Sequence, residues 1–557
     1  MSALPPNMSS YEETRRAYRP EVPEFFNYTV DVVEAWAAKE PERVALIIAD
    51  APGTRFDRYT FTELAEMSNR FAQALLRRGV RKGDTALVLL PRGVEWYVSL
   101  LAMFKTGILP VPTTTQSTAR DILFRLQKSA AAAVVTDREN EYKVQEVCEQ
   151  AQSLRCKFVV DEPGRCATHE HGGGWTCFHG SMAAEKPSFT AEKTRSSDPI
   201  IVYFTSGTVA YPKMVVHTQA SIGIGHDSTA RFWQDLRETD THWTLTDTGW
   251  AKSGWGTLFG QWRIGARVFI HNHPRFDAKL TLHLLATAGV TTFCAPPTAY
   301  RMFAHEDLKA YRFPTLRHCV GAGEPLNPEI MKIWKDATGL PIYDGYGQTE
   351  TVNLCANYRC LPVKPGSMGK PTPGFTLAVL DEQDRELPPG QEGELAIRIK
   401  PDRPLGLFAG YWNDPETTER VLGGTWYRTG DKVRMDEDGY VWFVGRNDDV
   451  IITAGYRIGP FEIESAIIEH PAVLECAAVA SPDDVRGEVV KAFIKLKPGY
   501  EGSETLAKEI QAHVRTVTAP YKYPRKIEFV DSLPKTISGK IRRGELKRKE
   551  FENWRRA

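Results

Sequence analysis

The sequence predicts an α/β protein with a large N-terminal domain of parallel sheets covered by helices and a small α+β C-terminal domain. Three observations support this. Short apolar runs alternate with helical patterns over the first three quarters, the pattern shifts near residue 375, and a compact α+β stretch follows Gly445–Asp449. Alternating strands and helices are typical of parallel sheets. We therefore expect an N-terminal domain at 1–446 and a C-terminal domain at 447–557.

The first region combines buried strands with amphipathic helices. Thr85–Leu90 is an apolar strand run, and Val94–Lys105 has helical spacing that ends at Gly107. Further strands are predicted at Ile108–Val111, Ala131–Val135, Phe158–Val160, Ile201–Phe204, Val268–Ile270 and Thr292–Cys294. Pro110 predicts that its strand lies at a sheet edge, because proline lacks the N–H that a central strand needs.

Two different units follow. Short strands between Gly, Pro and Asp turns predict a distorted antiparallel, barrel-like subdomain at Thr376–Leu380, Gly393–Ile399 and Tyr440–Val444. In the last unit Pro460 precedes a predicted helix, since proline is favoured at the first helical position. The elements expected there are the helices Phe461–Glu469 and Glu504–Thr516 and the strands Val489–Leu496 and Ile527–Val530.

Composition narrows the class of protein. The 557 residues carry 70 Lys and Arg against 70 Asp and Glu, and a neutral chain has no global field for nucleic acid or anionic membrane. No apolar run approaches the ~18 residues that span a bilayer. The N-terminus lacks a secretory apolar region, and Glu12 and Glu13 are unusual for a mitochondrial presequence. We expect a cytoplasmic enzyme, monomeric or homodimeric, with no nucleic-acid partner and no membrane insertion.

Two glycine-rich segments have the chemistry of a phosphate site. Phe204–Lys213 (FTSGTVAYPK) follows a strand, and its backbone N–H groups and Lys213 suit an anion. The spacing is not that of a P-loop, and a polar turn between strands explains it equally well. In Tyr343–Glu350 (YDGYGQTE) the glycines allow close approach of a ligand, and Glu350 beside Thr349 suits Mg²⁺. A tight turn with a helix cap is the alternative.

Two single residues also stand out. Asp431 follows Gly430 in YRTGD, where a carboxylate can accept the hydroxyls of a ribose; a simple turn is the alternative. Lys540 lies beside Gly539 in a basic tail, Lys535–Ala557, with nine basic and three acidic residues. A solvated surface lysine is the alternative there.

Taken in order, these segments resemble the adenylate-forming superfamily of acyl- and aryl-CoA synthetases, firefly luciferase and nonribosomal peptide adenylation domains. The motifs are TSGTVAYPK, GAGEP, DGYGQTE, GELAIRI, YRTGD, GRNDD, GYRIGP and PKTISGK. The segments Asp247–Trp262, Thr291–Arg301 and Thr518–Val530 most resemble medium-chain acyl-CoA synthetases. The resemblance implies that a carboxylic acid and MgATP give acyl-AMP and pyrophosphate, and that coenzyme A then displaces AMP.

The resemblance also implies roles for individual residues. Residues expected to bind ATP or AMP are Thr205, Ser206, Gly207, Thr208, Gly323, Glu324, Pro325, Asp344, Gly345, Tyr346, Gly347, Gln348, Thr349, Asp431 and Arg446. Within this set Asp431 and Arg446 take the ribose and Thr349 the α-phosphate. The catalytic residues are expected to be Lys540, Thr349, Glu350 and Lys213, and Glu350 and Thr208 are the candidate Mg²⁺ ligands.

The second half-reaction is assigned to the smaller domain. By resemblance, Asp448 is the hinge about which this domain rotates, withdrawing Lys540 from the adenylate. The rotation brings Ala454, Gly455 and Tyr456 to a pantetheine tunnel. Candidates for the phosphates of coenzyme A are Arg457 and Arg486, with Lys522 and Arg525 as further candidates.

The acyl pocket is expected at Trp250, Trp255, Gly256 and Phe259. Bulky indoles shorten a pocket, which favours a short-to-medium-chain aliphatic acid, branched acids included. An aryl acid such as benzoate is the alternative, and a tryptophan here equally suits a core.

Two features of the sequence favour other functions or a further site. Val209 and Ala210 replace the Thr-Gly usual in the superfamily's phosphate loop, so a hydroxyl and a flexible glycine are lost. A weakened acyl- or nucleotide-binding descendant is therefore an alternative. An adenylation enzyme that loads a carrier protein is a further, separate alternative. Cys166, His169, His171, Cys177 and His179 could build a zinc site, but their spacing matches no common finger and favours a surface loop. The nine scattered cysteines make a disulfide framework unexpected.

Overall fold

A computed structural model describes residues 4–161, 170–205, 212–273, 275–446, 449–453, 456–484, 486–518, 522–536 and 540–556. The α-helices are Tyr11–Ala17, Ala35–Lys39, Phe61–Arg77, Val94–Thr106, Ala119–Ser129, Glu141–Gln145, Phe178–Ala183, Gln219–Gly223, His226–Ser228, Ala251–Thr257, Phe259–Ile264, Ala278–Thr287, Pro297–Phe303, Pro328–Thr338, Pro415–Leu422, Pro460–Ile468, Glu504–Val517 and Arg543–Arg556.

The largest sheet has nine strands and a parallel centre. In spatial order these are Lys370–Pro371, Asn353–Ala356, Ile342–Gly347, His318–Ala322, Thr292–Ala295, Thr241–Thr244, Arg267–His271, Val44–Ala49 and Phe56–Thr60. The six strands from Ile342–Gly347 to Val44–Ala49 run parallel, and the outer strands pair antiparallel. The carboxyl ends of parallel strands meet at one edge of a sheet, which is where open α/β folds bind ligands.

The second sheet has six strands and is mostly parallel. In spatial order it contains Leu109–Pro112, Thr85–Leu89, Ala133–Asp137, Cys156–Val160, Trp175–Cys177 and Glu170–His171. The strand that carries Pro110 lies at its edge, as predicted. Helix Val94–Thr106 ends at Gly107, whose φ of 67° is a left-handed conformation that glycine adopts without a Cβ clash.

One predicted strand joins a different sheet. Pro199–Phe204 pairs antiparallel with Met214–Thr218 instead of joining a parallel sheet, and Gly410–Tyr411 completes this three-stranded sheet. The expectation of a parallel strand at Ile201–Phe204 is therefore wrong. Its partner follows after only nine residues, a connection too short for the crossover that parallel strands need.

The antiparallel and C-terminal units form as expected. The four-stranded sheet contains Leu377–Leu380, Glu392–Arg398, Trp426–Met435 and Val441–Arg446. The C-terminal unit has a hairpin, Ile451–Thr453 with Tyr456–Ile458, and a sheet of Val473–Asp483, Gly487–Leu496 and Lys526–Phe529. It has its own buried core, built from this sheet and its helices. The predicted fold class is thus confirmed. Among the described helices, none is both long and apolar enough to cross a bilayer.

Gly369 is the tightest backbone contact next to the candidate site. It has a φ of +85°, and a Cβ there would lie 1.9 Å from the backbone carbon of Ala356. Gly339 has a similar φ of +75°, but nothing lies within 4 Å of its Cβ position. Substitutions at these two glycines therefore separate the free-energy cost of backbone strain from that of a steric clash.

We expect Gly339→Ala to lose about 1–2 kcal/mol of stability through backbone strain alone. Gly369→Ala should lose several times more, because backbone atoms cannot move aside as a flexible side chain does. Thermal unfolding of the purified variants, with soluble yield as a second measure, compares the two. Equal midpoints for both variants would contradict the described packing at Gly369.

Candidate active site

One cavity of about 1330 Å³ lies between the N-terminal domain and the C-terminal unit. Its walls contain most residues that the sequence predicted to bind nucleotide or to act in catalysis. These are Thr205, Lys213, Gly323, Glu324, Pro325, Asp344, Gly345, Tyr346, Gly347, Gln348, Thr349, Glu350, Asp431, Arg446 and Lys540. Residues more than 300 positions apart in the chain therefore meet at the carboxyl edge of the nine-stranded sheet.

Asp431 is held at one end of this cavity by two neutral donors. Tyr346 donates its hydroxyl to Asp431 Oδ2, and Gln348 Nε2 donates to the same oxygen at 2.8 Å. The carboxylate is buried, and its burial raises its pKa, while Arg446 opposes that rise from the register position across the strand pair. Lys540 also opposes it. Asp431 Oδ1 is the oxygen that these two donors do not use.

Glu350 occupies another wall together with a tyrosine and a lysine. Tyr411 donates its hydroxyl to Glu350 Oε1 at 3.2 Å, and Lys213 Nζ lies 4.8 Å from the centroid of the Tyr411 ring. Burial raises the pKa of Glu350, and Lys213 and Arg446 both lower it in part. The result is a carboxylate oriented by one hydroxyl and faced by cations.

The turn before Glu350 is fixed by a buried histidine. His217 Nε2 lies 2.8 Å from the carbonyl oxygen of Thr349, and burial lowers the pKa of His217 to about 4. The ring is neutral near pH 7, and Nε2 carries the proton because a carbonyl can only accept. Thr349 and Glu350 are thereby tied to the strand Met214–Thr218.

The wall formed by Gly323–Pro325 and Asp344 contains a buried carboxylate with an unused oxygen. Asp344 is fully buried, and its burial raises its pKa. No described residue makes a hydrogen bond to its Oδ1. Lys252, on helix Ala251–Thr257, donates to the carbonyl oxygen of Ala322 at 2.9 Å and partly offsets the charge of Asp344. Glu324 is engaged by Thr298 Oγ1 at 3.0 Å.

Lys540 is the contribution of the C-terminal unit. Its backbone N–H donates to Thr536 Oγ1 at 3.1 Å, and its carbonyl accepts from the Thr536 N–H at 2.7 Å. This pairing fixes the backbone of Lys540 against Thr536, and residues 537–539 lie outside the described part. Asn327 Nδ2 donates to the Ser465 carbonyl oxygen at 3.3 Å, a direct contact between the two units.

The predicted acyl-pocket residues separate in the structure. Trp255 lines a second, small cavity beside the first. Phe259 is instead fully buried in the main core against Tyr28, at 5.0 Å between ring centroids. Gly256 is buried against Thr244, with no space for a side chain. Trp250 occupies the N-cap position of helix Ala251–Thr257, without a side-chain capping hydrogen bond, and lines neither cavity.

Several predicted coenzyme A residues lie away from the cavity or outside the described residues. Arg486 is exposed, and its backbone N–H donates to Asp483 Oδ1 at 2.9 Å. Lys522 pairs with Glu462 at 2.7 Å, and the Arg525 guanidinium lies 5.1 Å from the Tyr523 ring. The predicted residues outside the described chain are Ser206, Gly207, Thr208, Val209, Ala210, Asp448, Ala454 and Gly455. Tyr456 and Arg457 are described as backbone in a hairpin strand only.

The cysteine and histidine segment shows no metal arrangement in its described part. His179 lies 3.3 Å from Glu95, and Cys177 is disulfide-bonded. Cys166 and His169, and the side chain of His171, are outside the described residues. Among the residues that are described anywhere in the chain, no group of three His, Cys, Asp or Glu could hold a metal ion.

Sequence reasoning missed Tyr411, His217 and Lys252. Tyr411 contacts Glu350 from 61 positions away, and His217 contacts Thr349 from 132 positions away. No local pattern marks such pairs. A lone histidine in the apolar strand MVVHT and a lysine between Trp250 and Trp255 are the only local signals.

Comparison with known proteins agrees with this geometry. A model of the AMP-binding enzyme family matches residues 33–412, and one of the AMP-binding enzyme C-terminal domain matches residues 462–540. The chain is 47% identical to acyl-coenzyme A synthetase ACSM3, mitochondrial, of Rattus norvegicus, over 99% of this chain and 95% of that protein. It is 45% identical to the Homo sapiens protein of that name, over 99% and 94%.

Solved structures share the fold. The crystal structure of the anthranilate CoA ligase AuaEII in complex with anthranoyl-AMP has a TM-score of 0.86 at 29% identity, covering 95% of this chain and 98% of that one. A benzoate CoA ligase from Burkholderia xenovorans LB400 has a TM-score of 0.82 at 29% identity, covering 94% and 100%. The resemblance to adenylate-forming enzymes is therefore confirmed.

The predicted cytoplasmic location is wrong. The rat, mouse, orangutan and human relatives at 45–47% identity are all named mitochondrial. Glu12 and Glu13, on which that prediction partly rested, lie on helix Tyr11–Ala17, which packs into the protein through Tyr11. The two family models span most of the chain and the relatives match it nearly end to end, so this protein belongs to the family of AMP-binding enzymes.

Proposed function

We propose that this AMP-binding enzyme is an acyl-CoA synthetase, an acid-thiol ligase that works through an acyl-adenylate. The carboxylate of a short-to-medium-chain acid attacks the α-phosphorus of ATP and releases pyrophosphate. The thiolate of coenzyme A then attacks the acyl carbon and releases AMP. The observation that carries this proposal is the cavity that unites Asp431, Glu350 and Lys213 of one domain with Lys540 of the other.

The nucleotide is assigned by the unused polar atoms of the cavity. Asp431, fixed by Tyr346 and Gln348, accepts the ribose hydroxyls through its remaining oxygen. The wall with Gly323 and Asp344 takes the adenine, and the unpaired Asp344 Oδ1 is a partner for the adenine amino group. Lys213 faces the phosphates from the rim of the strand hairpin.

The site also fits Mg²⁺. Mg²⁺ is commonly held by one or two carboxylates together with substrate phosphates. The Glu350 carboxylate, oriented by Tyr411, supplies such an oxygen. When bound, the ion would supply positive charge against the triphosphate. Thr208, the second predicted ligand, lies outside the described residues.

The adenylation step needs charge neutralisation more than proton transfer. The attacking carboxylate is already ionised near pH 7, so it needs no general base. It is repelled by the triphosphate, and preorganised cations lower that barrier most effectively in a cavity with little water. Lys213 on the N-terminal domain and Lys540 on the C-terminal unit both line this space.

The thioester step places different demands on the C-terminal unit. The acyl-adenylate carries less charge than its precursors, so Lys540 is no longer needed once pyrophosphate has left.

We propose domains at 1–446 and 447–557 with a hinge at Asp448. Rotation there replaces Lys540 with Ala454, Gly455 and Tyr456 at the acyl carbon, and Arg457 and Arg486 bind the phosphates of coenzyme A. The hydrogen bond from Asn327 to the Ser465 carbonyl oxygen is one contact that this rotation would break.

Lys540→Ala should lower the rate of acyl-AMP formation about a hundredfold, since one of the cations that line the cavity is lost. The rate of conversion of supplied acyl-AMP to the thioester should change less than threefold, because the acyl-adenylate carries less charge than its precursors. Each half-reaction is measured separately, with Lys549→Ala as the matched control. Lys549 is an exposed lysine of the same unit, 3.1 Å from Glu545. Equal losses in both half-reactions would contradict the role of Lys540.

Tyr411→Phe removes one hydroxyl and keeps the ring that faces Lys213. A hydrogen bond to a charged group contributes about 1.5–3 kcal/mol, so kcat/KM for ATP should fall roughly tenfold or more, with a higher Mg²⁺ requirement. Tyr440→Phe is the control, because its hydroxyl donates to the Pro362 carbonyl oxygen, away from Glu350. Unchanged Mg²⁺ dependence in Tyr411→Phe would show that this hydroxyl does not orient the ligand.

A panel of carboxylic acids with ATP and coenzyme A, read by AMP release, tests the function itself. We expect activity with short-to-medium-chain acids and a shift of the optimum toward longer acids in Trp255→Ala. Each added methylene that fills the space is worth about 0.8 kcal/mol. Trp426→Ala, a half-buried indole of the antiparallel sheet, is the control. No AMP with any acid would refute the proposed function, and an unchanged optimum would remove Trp255 from the pocket.

A further inference from the structure

The second cavity is a small chamber beside the proposed adenylate site. We call it the tryptophan chamber, and its lining residues are Trp233, Trp255, Ala322, Gly345, Tyr346, Gly347, Gln348, Thr351, Val352 and Asn353. Residues 345–348 also line the large cavity, so the two spaces share a wall. The chamber has room for about one water-sized group.

Two indoles make this chamber apolar and rigid. The ring centroids of Trp233 and Trp255 lie 5.8 Å apart. Trp233 is 1% exposed, and its Nε1 donates to the carbonyl oxygen of Tyr343 at 3.0 Å. Gly345 fits beneath it, since a Cβ there would lie 2.6 Å from Trp233 Cε2. The Trp233 side chain is therefore fixed in place, and its indole N–H is not available to a group in the chamber.

Asn353 differs from the other polar residues of the lining, whose side chains are hydrogen-bonded; these are Tyr346, Gln348 and Thr351. It begins the strand Asn353–Ala356, opposite Gly347, and is 7% exposed. Both its Nδ2 and its Oδ1 are buried, and neither makes a hydrogen bond to any described residue. Buried amides are almost always paired, because an unpaired one costs its full desolvation. An apolar side chain of similar size would avoid that cost, so an amide at this position calls for a polar partner.

We propose that Asn353 is a specificity-determining residue, and that the acid activated here carries a neutral hydroxyl at the end remote from its carboxylate. This rests on the proposed function. With the carboxylate at Lys540, the chain of the acid follows the shared wall at 345–348 and ends in the tryptophan chamber. A hydroxyl is water-sized, and it can both donate to Oδ1 and accept from Nδ2.

The charge of the chamber excludes an ionised end group. Among the described residues that line it, none is acidic or basic. A second carboxylate or an ammonium would be buried there without a counter-charge, which is far more costly than burying a hydroxyl. A site built to pair a hydroxyl also rejects the analogue that lacks it more strongly than any apolar pocket rejects a methylene.

The test compares acids in matched pairs on the full-length enzyme. One arm pairs straight-chain acids with their terminal hydroxy acids, and the other pairs benzoate with the hydroxybenzoates. The two arms distinguish an aliphatic from an aryl source of the same hydroxyl. We expect the wild type to favour the hydroxy acid at least tenfold in kcat/KM in one arm. Asn353→Leu should reverse that preference while the KM for ATP stays within twofold.

Thr351→Val is the matched control. Thr351 lines the same chamber, but its hydroxyl already accepts from the Gln348 N–H at 3.0 Å, so the preference ratio should not change. If the wild type favours the unsubstituted acid in both arms, the inference is overturned and a bound water pairs the amide. The wild-type ratio decides this even if Asn353→Leu does not fold. Absence of AMP with every acid would instead refute the proposed function.

Discussion

Burial of carboxylates in one cavity is the constraint on which the rest of the structure depends. Asp344 and Asp431 are buried and Glu350 is half-buried, and burial raises the pKa of all three. Such groups persist only where donors and cations face them. Tyr346 and Gln348 serve Asp431, Tyr411 serves Glu350, and the cations Lys213, Arg446 and Lys540 come from three separate elements. The fold is therefore organised to bring these elements to one sheet edge.

The three-stranded sheet connects the residues on the phosphate side of the cavity. Its central strand, Met214–Thr218, lies between Pro199–Phe204 and Gly410–Tyr411. It thereby brings Lys213 next to Tyr411 at one end and, through His217, reaches the carbonyl of Thr349. The phosphate side of the cavity is thus a product of strand pairing between segments that are about 200 residues apart. A neutral His217, kept so by burial, lets this tie persist across the neutral pH range.

Much of this could be predicted from the sequence, and the failures have physical causes. Local patterns were sufficient for the helix Val94–Thr106 and for the edge strand at Pro110, because caps and a missing N–H act within a few residues. Resemblance brought the main cavity residues together in advance. Burial cannot be told from residue type, since Phe259, which the resemblance placed in the acyl pocket, is fully buried in the main core. The contacts of Tyr411 and His217 depend on long-range strand pairing, which no local spacing reveals.

The central claim is that the cavity joins an acid to AMP before coenzyme A takes part. Exchange of labelled pyrophosphate into ATP measures this step directly, since only a reversible adenylation supports it. The account predicts exchange that requires both a carboxylic acid and Mg²⁺ and proceeds without coenzyme A. Exchange that needs coenzyme A, or formation of ADP in place of AMP, would contradict it.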